Sequence, residues 1–206
     1  MESVLNNEWD EYAENWNVDP SVEKYAAMAF SELTKKIKLD GLSVLDFGCG
    51  TGVLTQMIGA KVRDVVAIDP SSEMIKYLDM KTLKNVSTIS DFLTEELINK
   101  RSEFENKFDL IVASSVCGFL PSYEETLCLL KSLLKEDGSF VQWDWLADDQ
   151  HSGVGLSIDR VKKVFDVNQF IDVQITTPFI MENSKGSMTV LMAYGKNISQ
   201  VNKVGL

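Results

Sequence analysis

Between Val44 and Gly52 the chain reads Val-Leu-Asp-Phe-Gly-Cys-Gly-Thr-Gly, an apolar run that stops in three alternating glycines. Such a run predicts a buried strand, and glycines directly behind it allow the positive φ angles of a tight strand-to-helix turn. At the end of a first parallel strand, a turn of this kind is where open α/β sheets bind nucleotides. Taken by itself it could also be merely a tight strand-to-helix connection. The rest of the chain keeps the same rhythm. Short β-branched runs alternate with longer helical patterns, which predicts a mostly parallel sheet covered by helices, an α/β fold of three layers.

Strands are predicted at Ser43–Phe47, Asp64–Ile68, Val86–Ile89, Phe108–Ala113 and Ser139–Trp143, with helices starting near Thr51, Ser71, Phe92 and Ser122. Ser122 and Glu125 have capping-box spacing. Leu127, Leu130 and Leu134 then recur at helical period, and Gly138 stands where a left-handed cap would end that helix. Two helical patterns precede the first strand, one from about Val4 to Trp16 and one after Asp19-Pro20, where proline suits a first helical turn. Beyond Ser157 come a short helix and two strand-like runs, Phe170–Thr177 and Met188–Tyr194. The loop Glu182–Gly186 joins these runs into an antiparallel hairpin. No linker divides the 206 residues, so the expectation is one domain, with residues 1–40 as a helical cap and 41–206 as the core.

Charge narrows the function. A net charge of −11 and no basic run leave nothing to neutralise nucleic-acid phosphates, and they also disfavour an anionic membrane surface. The longest apolar stretch, Leu110 to Leu120, is too short and too interrupted to cross a bilayer. Three cysteines and one histidine suit neither a disulfide framework nor a zinc cage, and unpaired thiols predict a reducing, cytoplasmic setting.

The glycines read G-x-G-x-G, with Val53 where a dinucleotide fingerprint needs its third glycine. Asp46, two residues ahead of them, would repel a pyrophosphate but suits a ligand with an ammonium group, such as the methionine moiety of S-adenosylmethionine (SAM). Asp69 ends the second strand where a carboxylate holds ribose hydroxyls, although Asp69 or Ser71 could instead cap the following helix. At the third strand end, Asp91 could accept from an adenine amino group and Phe92 could pack near the ring, with helix capping by Asp91 the alternative. Three carboxylates in order at three successive strand ends make one constellation.

In Val44–Gly52, Val65–Ser71, Ser90–Phe92 and Phe108–Phe140 the chain resembles the successive motifs of class I SAM-dependent methyltransferases, closely from Leu42 to Trp145 and only in layout outside it. The resemblance implies a Rossmann-like, seven-stranded sheet closed by the antiparallel hairpin, SAM as cofactor and S-adenosylhomocysteine (SAH) as product. It implies that Asp46, Gly48, Gly50 and Gly52 surround the methionine part, that Asp69 holds the ribose, and that Pro70, Ser71, Asp91 and Phe92 lie near the adenine. Met74 follows closely enough to touch that ring. Ser114 and Ser115 match the site beside the sulfonium. Some relatives carry an Asn-Pro-Pro-Tyr-like motif there, so Ser114-Ser115-Val116-Cys117 argues against amino methylation of bases.

SAM already carries an activated methyl, so the protein's task is alignment, and a base is needed only for a protonated acceptor. His151 is the candidate base, or else an exposed loop residue. Asp144, Asp148 and Asp149 could hold a metal or simply be solvated, and the expectation is no metal. Trp9, Tyr12 and Trp16 share a helix face that either covers the site or packs on the domain. Trp143 and Trp145 share a strand face, one for the core and one for the pocket. With Tyr12, Trp16 and Trp145 as pocket residues and no room for a substrate domain, the expected acceptor is a small molecule. Two other readings are a non-catalytic SAM-binding scaffold and a nicotinamide-dependent oxidoreductase, the latter opposed by the absent glycine and by Asp46.

Overall fold

The computed structural model describes residues 2–147, 155–183 and 186–198. In chain order these form α1 (Glu2–Val18), α2 (Pro20–Lys36), β1 (Ser43–Phe47), α3 (Val53–Gly59), β2 (Asp64–Asp69), α4 (Ser72–Asp79), β3 (Val86–Ser90), α5 (Glu95–Lys100), β4 (Phe108–Ser114), α6 (Tyr123–Ser132), β5 (Leu134–Trp145), α7 (Ile158–Val167), β6 (Ile171–Asn183) and β7 (Gly186–Lys196). The strands make one seven-stranded sheet in the order β3-β2-β1-β4-β5-β7-β6. β1, β2 and β3 pair in parallel, as do β4 and β5, while β7 runs antiparallel to both β5 and β6. This is the expected Rossmann-like architecture, hairpin included. Among the described residues no helix is long and apolar enough to cross a membrane.

The chain divides into two compact units, residues 1–105 and residues 106–206. In the first, every residue of β1 is buried, as a strand covered on both faces must be. Leu54 and Ile58 of α3 and Ile75 and Leu78 of α4 are the buried positions of two helices that pack against the neighbouring strand β2. Gly52 is fixed twice over. Its φ is +76°, and a Cβ there would stand 2.3 Å from Leu78 Cδ1. That conformation makes Gly52 the N-cap, so α3 starts at Val53 rather than near Thr51. At α2 the expectation holds, with Pro20 in the first turn and the Asp19 carboxylate accepting from Ser21 N at 2.8 Å.

In the second unit, Leu110, Ile111, Val112 and Ala113 of β4 are fully buried, and Phe140, Phe165 and Phe170 pack with centroids 5.1 to 5.9 Å apart. Three expectations for α6 fail, the first because Leu134, read at helical period, instead opens β5. Ser122 makes no side-chain cap; its carbonyl takes Thr126 N and Oγ1 instead. The helix ends at Ser132, so Gly138 does not cap it. Gly138 lies inside β5, where a Cβ would meet Lys135 O at 2.9 Å and Phe108 O at 3.1 Å. There the glycine makes room for neighbouring backbone. The hairpin strands also run longer than expected, pairing as far as Asn183 with Gly186, because ladder hydrogen bonds carry a strand past the end of its apolar pattern.

Candidate functional site

The turn after β1 is built on left-handed glycines, Gly48 at φ 69°, Gly50 at 53° and Gly52 at 76°. Beside it the Asp46 carboxylate is 1 % exposed. Its Oδ2 accepts from Thr55 Oγ1 at 2.6 Å, whereas Oδ1 is buried with no partner in the protein. Burial lifts its pKa to about 7, the negative charge of Asp69 adding to the rise and the Thr55 hydrogen bond opposing it. Thr51 Oγ1 is a second buried atom without a partner. Unsatisfied buried polar atoms cost free energy and are rare in the interior. Two of them at one glycine turn fit a bound group carrying polar hydrogens, as SAM does in its ammonium.

Asp69, at the end of β2, is held by two backbone amides, Gly50 N and Ser71 N, each at 2.9 Å. Burial still raises its pKa, these two hydrogen bonds working against the rise. Ser71 caps α4, accepting from Met74 N at 3.1 Å, so between Asp69 and Ser71 the cap falls to Ser71. Pro70 is half-buried between them. Around Gly50 stand two side chains: Trp16 Nε1 lies 3.7 Å, and Met74 Sδ 4.0 Å, from where a Cβ would be. Trp9 contacts both Tyr12 and Trp16, at 6.2 and 6.4 Å between centroids, while Tyr12 is 58 % exposed. Helix α1 thus brings Trp16 to the glycine turn and leaves Tyr12 largely in solvent.

At the end of β3, Asp91 is exposed and accepts from Phe92 N at 2.8 Å, with Phe92 half-buried. Helix capping there belongs to Thr94, whose Oγ1 accepts from Leu97 N, and α5 accordingly starts at Glu95 rather than near Phe92. The alternative role of Asp91 as a helix cap is therefore overturned.

In the second unit, Ser114 and Ser115 end β4, both half-buried. Ser115 has φ 58° and donates its N–H to Trp143 O at 2.6 Å. Left-handed backbone at a non-glycine residue is strain that the surroundings must hold. The next turn, Cys117–Phe119, is gripped by Asp144, which accepts from Gly118 N at 3.0 Å and from Gln142 Nε2 at 2.9 Å. Hydrogen bonds from Cys117 complete the grip. Gln142 Oε1 in turn accepts from Tyr123 OH at 2.5 Å. Burial raises Asp144 to about 7 and pushes the Cys117 thiol well up.

With both oxygens engaged by protein donors and the side chain buried, Asp144 is not a solvated loop residue. Among the described residues no cluster of His, Cys, Asp and Glu could hold a metal. His151, Asp148 and Asp149 lie outside the described residues. Trp143 is fully buried, as expected of the core member of that face, and Trp145 is partly exposed.

Three contributors escape a reading by motif. Thr55 sits one helical turn beyond the glycines, a spacing that could have flagged it as a partner for Asp46. Asp10 accepts from Ser71 Oγ at 2.5 Å and from Glu73 N at 3.2 Å, a contact spanning some sixty residues that no local pattern announces. The Tyr123–Gln142–Asp144 chain is equally non-local.

A methyltransferase-domain family matches residues 9–174. A probable SAM-dependent methyltransferase of Saccharomyces cerevisiae is 28 % identical over 70 % of the chain and 48 % of its own length. The mitochondrial ubiquinone biosynthesis O-methyltransferase of Rattus norvegicus is 33 % identical over 49 % of the chain and 30 % of its own. The chain therefore spans less than half the length of these curated relatives. Among solved structures, magnesium protoporphyrin IX methyltransferase from Synechocystis with bound SAM superposes with a TM-score of 0.69 at 15 % identity, covering 94 % of this chain and 96 % of that one. At such identity the likeness is one of fold.

Proposed function

The chain belongs to the methyltransferase-domain family, within the class I SAM-dependent enzymes, and we propose that it moves the cofactor's methyl group to a small-molecule acceptor. The observation that carries this reading is Asp46 Oδ1, a buried carboxylate oxygen at a glycine turn with no donor of the protein's own. An α-ammonium group supplies the missing donor and the compensating charge. Asp69, set by two amides, is ready to accept from ribose hydroxyls. Gly48, Gly50 and Gly52 leave the backbone open to a ligand, and Met74 and Trp16 wall the turn. Pro70, Ser71, Asp91 and Phe92 are assigned to the adenine side, and Ser114 and Ser115 to the sulfonium, as the resemblance implies.

When bound, SAM supplies a methyl on positively charged sulfur, so the chain's residues need only orient it and exclude water. A small acceptor is supported by the acidic charge of the protein and by the relative named for ubiquinone biosynthesis. Under this reading residues 1–206 work as one methyltransferase domain.

Isothermal titration with SAM, SAH and NAD tests the reading. Micromolar binding of SAM and SAH but not NAD is expected, followed by methyl transfer in a screen of small hydroxyl, amine and thiol acceptors. Binding of NAD in place of SAM would overturn it. SAM binding with transfer to a nucleic acid alone would overturn the small acceptor.

A further inference from the structure

Among its described side chains, helix α1 buries little apolar surface. Of its described side chains only Ala13 is buried, with Trp9, Asp10 and Trp16 partly so, whereas α2, of the same length, buries Tyr25, Ala26, Ala29 and Leu33. Apolar burial scales with area, so the described side chains of α1 contribute little of it. What it has instead is Asp10. One carboxylate oxygen takes both the Ser71 hydroxyl and the Glu73 amide at the start of α4. Acceptors at that end satisfy open amides and meet the positive end of the helix dipole. Six residues on, about 9 Å along the same helix, Trp16 stands against Gly50. The helix therefore runs from the ribose-side end of the site, at Asp69 and Ser71, to the glycine turn.

We propose that Asp10 is a positioning residue that latches α1 across the cofactor site, holding Trp16 at Gly50 and setting how fast the cofactor leaves. The inference rests on the SAM-site reading above. Release of the Ser71 and Glu73 contacts frees α1 to turn about its junction with α2 at Asp19, a single extended residue between the two helices. Asp10 itself touches no reacting atom. Its effect reaches the cofactor through Ser71 and through Trp16.

The test uses the full chain with SAH and SAM as probes and reads dissociation by stopped-flow tryptophan fluorescence, with apo-protein melting recorded alongside. In Asp10→Ala, which loses both hydrogen bonds, SAH should dissociate at least about tenfold faster, the factor expected for losing even one hydrogen bond to a charged group. Asp10→Asn keeps an oxygen acceptor for both donors and should stay within about threefold of the parent. An unchanged rate in Asp10→Ala overturns the latch. So does an Asp10→Asn rate equal to that of Asp10→Ala, because charge rather than attachment of α1 would then be responsible. Failure of the parent chain to bind SAM or SAH is a different result, and it overturns the cofactor reading on which the latch depends.

Discussion

Asp46 near the end of β1 and Asp144 near the end of β5 are the same residue type in nearly the same setting. Each is buried, and each is lifted to about 7 chiefly by that burial. They differ in what their oxygens touch. Asp144 has donors on both, from Gly118 and Gln142, with Cys117 beside them. Asp46 has Thr55 on one and nothing on the other. The shift alone does not separate a finished structural clamp from a ligand site. The hydrogen-bond inventory does.

The comparison breaks most visibly at Asp144. Replacing it with alanine strands the Gly118 amide, the Gln142 amide group and the Cys117 donors, and should cost about 3 kcal/mol of stability in urea unfolding. A loss below ~1 kcal/mol would mean that the carboxylate is not a clamp. Asp46→Asn should do the reverse. Stability stays level or rises, because a buried charge is removed, while SAM affinity falls by ~2 kcal/mol, about thirtyfold by titration. Equal losses of stability in the two variants would erase the distinction.

Titration sharpens the same contrast with a smaller effect. Both carboxylates bind their proton more tightly in the folded chain than unfolded, so this pair's contribution to stability is fully present only below the ordinary carboxylate value of 3.8 and is lost as pH rises from there through about 7. Either asparagine variant should flatten the slope. Only Asp46 should also couple to the ligand: a cation beside it favours the carboxylate, so SAM affinity should rise from pH 6 to pH 8, with a proton released on binding at the lower pH. Calorimetry in buffers of different ionisation enthalpy counts that proton, and a count of zero at pH 6 removes Asp46 from the ammonium site.

The parallel core and the three strand-end carboxylates were legible because their signals are local, a buried run followed by a turn residue. Strand pairing was legible as a class from the alternation. The misreadings have a common physical source. Ser122, Gly138 and Asp91 each carry a plausible local role in helix capping, and in each case a competing contact overrides it, local at Ser122 and Asp91 and partly non-local at Gly138. Gly138 is needed where carbonyls of Lys135 and Phe108 crowd it, and Thr94 is better placed than Asp91 to cap α5. Asp10 and Gln142 gave no signal at all, since their meaning lies in partners far along the chain.

One hydrogen bond described above, from Gly50 N to Asp69, has a consequence for how losses at this site combine. It ties the glycine turn to the end of β2, and the charge of Asp69 also bears on the titration of Asp46. Asp46 and Asp69 are therefore parts of one thermodynamic unit. Removing either carboxylate rewrites the environment of the other, so the free energies lost by Asp46 and Asp69 variants cannot be summed into a partition of cofactor affinity.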